Sequence, residues 1–182
     1  MDENKKMENI TMINRVAESG IITINLEDFF PKHDFAVFDI KDYLFHGLIL
    51  KEKDFREALK NLDWSVYDSK IVLVICSTDA IIPLWAYMLI ESHLVVSAAD
   101  TYQGTEEEYL RMHYRNALKN ITAAQYQDQR IVIKGCGHKP VPSYAYAFIT
   151  SVLKPYAQSI MFGEPCSTVP IFKRPRVIQE PI

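Results

Sequence analysis

Three cysteines hold most of the reactive chemistry in this sequence, and each follows a predicted strand. The run Ile71 to Ile75 is apolar and mostly β-branched, which reads as a buried strand, and Cys76 ends it. Ser77, Thr78 and Asp79 then offer helix caps, and Pro83 suits a first helical turn. The stretch from Ile131 to Pro142 repeats this layout around Cys136, and the third thiol, Cys166, sits between Glu164 and Pro170. This spacing predicts that the three thiols meet at one edge of a sheet.

Three kinds of chemistry fit such a cluster. Three thiolates and one further ligand satisfy a tetrahedral zinc or iron site, or part of an iron–sulfur centre. Asp79, His138 and Glu164 are the candidate fourth ligands, since each lies within three residues of a cysteine. A thiol at a helix N-terminus could instead be a nucleophile of lowered pKa. Cys76 or Cys136 would then serve sulfur transfer or redox chemistry, with His138 as base. The third reading is structural. Free cysteine packs as a small hydrophobe, and the chain is then a binding or scaffold protein with an exposed apolar patch.

The elements that position these residues follow from the order of the chain. Met1 to Asn9 is polar, and residues 1–13 read as a frayed leader, with Ile10 to Glu18 suggesting a short helix. Strands are expected at Ile21 to Leu26 and Phe35 to Ile40. Asp54 to Glu57 resembles a capping box that opens a helix to about Asn61. From there the chain repeats itself. Arg56 to Asn61 matches Arg115 to Asn120 at five of six positions, an offset of 59 (115 − 56). Pro83, Tyr87, Ile90, Leu94 and Gly104 find Pro142, Tyr146, Ile149, Leu153 and Gly163 at the same offset. An internal duplication is the expected origin, with repeat units over 54–104 and 113–163.

The repeat sharpens the reading of each element. Tyr87, Ile90, Leu94 and Ala98 fall on one helical face, so a helix is expected from Ala80 to Ala98. A strand follows at Asp100 to Gln103, matched by Ser159 to Gly163, and Thr105 to Glu108 caps the next helix. Alternating strands and helices predict one α/β domain over 14–170, with a largely parallel or mixed sheet and crossover helices. Residues 171–182 read as an extended tail on the surface or on the partner subunit of a homodimer.

Other residues invite less chemistry. Asp39, Lys41, Asp42 and His46 form a polar cluster that suits a solvated loop better than a cleft. His93 and His113 fall on predicted helices, Tyr87 and Tyr146 read as matched packing residues, and Trp64 and Trp85 as core. There is no G-x-G-x-x-G, Walker loop or H-E-x-x-H. The net charge of −3 disfavours nucleic acid and anionic membranes as partners. An odd cysteine count and no export signal point to a cytoplasmic protein with reduced or metal-bound thiols.

Several segments resemble an uncharacterised bacterial family known as domain of unknown function 2480. They are Asp54 to Leu59, Cys76 to Pro83 with Trp85 to Tyr87, Lys134 to Cys136 with Pro140 to Pro142, and Ser159 to Pro170. The resemblance covers nearly the whole chain after about Asn14. Members are often encoded beside iron–sulfur cluster assembly proteins, so the resemblance implies an accessory role with such partners. The family carries an acid where this chain has His138, which favours Asp79 and Glu164 as ligands.

Overall fold

The computed structural model describes residues 20–135 and 137–175. The expected helix at Ile10 to Glu18, Cys136 and the end of the tail lie outside these residues. The described chain forms an α/β fold with two sheets and two compact units. One unit, here the second, comprises Asp28–Asn120 and Val141–Ala145. The first comprises the described residues up to Glu27, Ile121–Pro140 and those from Tyr146 onward.

The second unit contains strands β2 (Phe35–Asp39), β3 (Ile71–Ile75) and β4 (Asp100–Gln103), in that spatial order and all parallel. Helix α1 (Glu52–Asn61) connects β2 to β3, and α2 (Leu84–Leu94) connects β3 to β4. Because each crossover steps the same way across the sheet, right-handed connection places both helices on one face. There Phe38, Val72 and Val74 from the strands pack with Phe55, Leu59 and Ile90 from the helices. Phe38 stacks between Tyr43 (5.2 Å) and Trp64 (5.9 Å), and Trp64 in turn stacks on His93. His93 is thus a packing residue, and Trp64 and Trp85 are half-buried against the core. Helix α3 (Glu106–Lys119) brings Tyr109 against Phe35 and Tyr102.

The first unit contains β1 (Ile21–Asn25), β5 (Arg130–Lys134), β6 (Ser159–Glu164) and β7 (Ser167–Lys173) in one sheet, ordered β1-β5-β6-β7. The first three are parallel, and β7 returns antiparallel along the outer edge of β6. Helix α4 (Ser143–Leu153), which belongs to this unit from Tyr146 onward, carries the fully buried Ile149 and Leu153, and from the strands Ile131 and Ile160 are fully buried too.

Four expectations need correction. Helix α2 spans Leu84–Leu94, shorter than Ala80 to Ala98. Pro83 is its N-cap, and the residue before a proline is driven out of the helical region, so the helix cannot begin earlier. Helix α1 begins at Glu52, after Lys51, and so the Asp54 to Glu57 box does not cap it. The strand β7 runs through residues read as loop and tail. Its Pro170 is tolerated because β7 is the last strand of its sheet and carries a bulge beside it. The cysteine loops also do not open directly into helices, since Pro142 likewise precedes α4 at Ser143.

Candidate functional site

In parallel sheets the carboxyl ends of the strands are where ligands bind, and Asp39, Cys76, Glu164 and Cys166 end or closely follow such strands. In the second unit, Asp39 ends β2 beside Ile75, the last residue of β3. Its Oδ1 accepts the backbone N–H groups of Lys41 (3.0 Å) and Ser77 (3.0 Å), and its Oδ2 accepts the Ser77 hydroxyl. The Lys41 ammonium stands 3.5 Å away. Burial pushes the Asp39 carboxyl up, but the Ser77 and Lys41 hydrogen bonds and the Lys41 charge outweigh it and hold the pKa below the ordinary value. Asp39 therefore fastens the Cys76 loop to the end of β2. Cys76 is half-buried with its Sγ 3.6 Å from the Thr78 hydroxyl, and Asp79 is exposed. Helix α2 starts eight residues after Cys76, so this thiol does not sit at its first turn.

The first unit holds its own loop in a related way. The Glu27 carboxylate accepts the backbone N–H of Gly137, directly after Cys136. Lys134 pairs with Glu164 at 3.2 Å, joining the ends of β5 and β6. Glu164 is thus engaged by a cation. Cys166 is exposed in the two-residue turn between β6 and β7, and His138 is exposed. Cys76 and Cys166 belong to different units. Among the described residues no three His, Cys, Asp or Glu side chains group closely enough to hold a metal ion.

Asp39 and Glu27 were not picked out as anchors by sequence reasoning. The local signal was an acid or amide at a strand end that turns the next residues. Asp39 accepts from the N–H of Lys41, and Asn25 accepts from that of Glu27.

Each unit also has a groove between a crossover helix and the strand after it. In the first unit it is a cavity of about 370 Å³ lined by Ile133, Tyr146, Ala147, Thr150, Met161, Phe162 and Ile171. Tyr146 and Phe162 meet edge to face at 5.7 Å. The Thr150 hydroxyl donates to the Tyr146 carbonyl at 2.7 Å, so its hydrogen goes to its own helix. Ile171 is the unpaired residue at the bulge of β7, where Ile160 pairs with Phe172 and Met161 with Pro170. The groove of the second unit, about 280 Å³, uses residues 59 positions earlier: Val74, Tyr87, Met88, Glu91, Tyr102 and Gln103 among them. It has no counterpart to Ile171, because the chain leaves β4 directly for α3.

A family described as protein of unknown function (DUF2480) matches residues 10–174. The chain belongs to that family. No curated protein and no solved structure matches it. The DUF2480 match covers both anchored loops and both grooves, so each of them lies inside the region that defines the family.

Proposed function

We propose that the chain is a binding protein that takes a small apolar molecule, aromatic or branched aliphatic, into the first-unit cavity. One observation carries this reading: the walls are almost wholly apolar, with two aromatic rings and four aliphatic or thioether side chains around about 370 Å³. Small-molecule sites are typically of this size and lining. An apolar cavity of only about 150 Å³ already takes benzene. The bulge at Ile171 supports the reading, since bulges re-aim side chains beside functional sites.

The test is a methyl NMR titration of the full chain with toluene and with indole. Saturable shifts of Ile133, Met161 and Ile171, abolished in Ala147→Trp, are expected. Absence of shifts there, or shifts that Ala147→Trp leaves intact, would overturn the proposal. The metal reading is tested beside it by the metal and sulfide content of protein prepared without a metal-binding tag. Stoichiometric zinc or iron, lost in Cys76→Ser, Cys136→Ser and Cys166→Ser alike, would make a thiolate centre the primary function.

A further inference from the structure

We infer that the first unit has a second binding site, for a small organic acid with an apolar body, where β5 and β6 begin and β7 ends. A cavity of about 670 Å³ opens there, with Arg130, Ser159, Met161, Pro170 and Lys173 in its walls. It shares only Met161 with the apolar cavity beside α4.

The register of the sheet assembles this site. Ser159, the first residue of β6, lies opposite Arg130 of β5 on one side and Lys173 of β7 on the other. Directly paired residues share a face, so the two cations flank the Ser159 hydroxyl, with their Cα atoms two strand spacings, roughly 10 Å, apart. Met161 and Pro170 pair two residues further along β6 and form the next row on that face. Lys173 and Pro170 are three residues apart, and in a regular strand they would face opposite ways. The extra residue at the bulge, Ile171, returns both to one side.

The charges select an anion. Among the described residues no Asp or Glu lines the cavity. Asp128, two residues before Arg130, is held by the Arg174 guanidinium at 2.6 Å. The Lys173 ammonium and the Ser159 hydroxyl have no partner among the described residues. Arg130 does have one, but a guanidinium carries five donors in a fork and receives a carboxylate as well. The wall is also fixed in advance. The Arg174 N–H donates to the Gln158 carbonyl at 2.8 Å, and the Gln158 side chain donates to the Arg174 carbonyl at 3.2 Å. The backbone of Lys173 is thus held between its pairing with Ser159 and an anchored Arg174, which lowers the cost of ordering the site on binding. An inorganic anion would occupy a small part of this volume and leave Met161 and Pro170 unused. A carboxylate on an aromatic or branched body uses both rows.

The test is calorimetric titration of the full chain with 4-phenylbutyrate, with its neutral amide and with inorganic phosphate. The acid should bind at least tenfold more tightly than either of the others. Lys173→Gln and Arg130→Gln, both at exposed positions, should each weaken it at least about tenfold. Ala147→Trp, which fills the apolar cavity, should leave it unchanged, so the two sites stand or fall separately. If one charge variant fails to fold, the other decides. No binding of the acid at about 5 mM, equal binding of the amide or of phosphate, undiminished binding in a folded charge variant, or loss of binding in Ala147→Trp would refute the inference.

Discussion

The Asp39 carboxylate receives both the backbone N–H and the hydroxyl of Ser77, a residue 38 positions later in the chain. Parallel pairing puts Asp39 beside Ile75, so the bond spans two adjacent strand ends and not a local turn. The chain leaving β3 at Cys76 is directed by a fixed charge on the neighbouring strand. This replaces the helix start that the Ser77, Thr78 and Asp79 series suggests, because the hydroxyl that could cap a helix is already bound to Asp39.

Asp39→Asn should therefore destabilise the second unit by about 1.5–3 kcal/mol near neutral pH, the usual worth of hydrogen bonds to a charged group. The pH dependence has a definite sign. A carboxyl whose folded pKa is depressed stabilises fully above its unfolded pKa, about 4, and loses that contribution as pH falls through the lower folded value. The gap in urea midpoint between wild type and Asp39→Asn should close as pH drops below about 4. A gap that stays constant from pH 7 to pH 3 would mean that the charge of Asp39 is not what holds the loop.

Tyr109 makes the opposite prediction at high pH. Its ring is buried against Phe35 and Tyr102, and its hydroxyl donates to Asp100 at 2.9 Å. Burial, then the hydrogen bond and charge of Asp100, push its pKa far above the ordinary value of about 10. A raised pKa means stability that is complete below about pH 10 and is lost as pH rises beyond it. Tyr109→Phe should cost about 0.5–1.5 kcal/mol at pH 8 and flatten the alkaline fall in stability. Denaturant melts at pH 8 and at pH 11 measure both effects. An equal alkaline fall in the two proteins would remove Tyr109 as its source.

What could be read in advance was mostly local. The run Ile71 to Ile75 became β3 within its expected bounds because burial on both faces leaves an uninterrupted apolar strand. The Thr105 to Glu108 box formed because its partners are three residues apart. The strand β7 was hidden by Pro170 and by a polar start just after Pro165, and only its pairing with β6 makes it a strand. Asp39 and Glu27 were hidden for the same reason, since the groups they hold are distant in sequence. The lower wall of the cavity depends on β7, so it could not be anticipated either.

The capping box gives a third prediction. Thr105 accepts from the Glu108 N–H at 3.3 Å, and Glu108 accepts from the Thr105 N–H at 2.8 Å. Thr105→Ala should cost about 1 kcal/mol, lowering the melting temperature by about 2–4 °C for a chain of this length. Thr105→Ser should restore most of it. An unchanged melting temperature in the alanine variant would show that the start of α3 is held by its packing alone.

Gly163 closes the argument about the cavity, because it determines whether β7 can lie on β6. Its φ is +117°, a region that side chains rarely adopt, and a Cβ there would meet the Ser167 carbonyl oxygen at 2.6 Å. That oxygen is backbone at the start of β7, so relief requires the hairpin to shift. Gly47 is a suitable control, since its φ is +70° with nothing within 4 Å of an added Cβ. Gly47→Ala should cost about 1–2 kcal/mol from backbone strain alone. Gly163→Ala should cost more, and it should speed hydrogen exchange of the β7 amides while the β5 amides stay protected. With Ile171 displaced, the same variant should weaken toluene binding at least tenfold. Equal costs at the two glycines, with β7 exchange unchanged, would show that the hairpin tolerates a side chain at this position and that β7 does not depend on Gly163 for its place on the cavity.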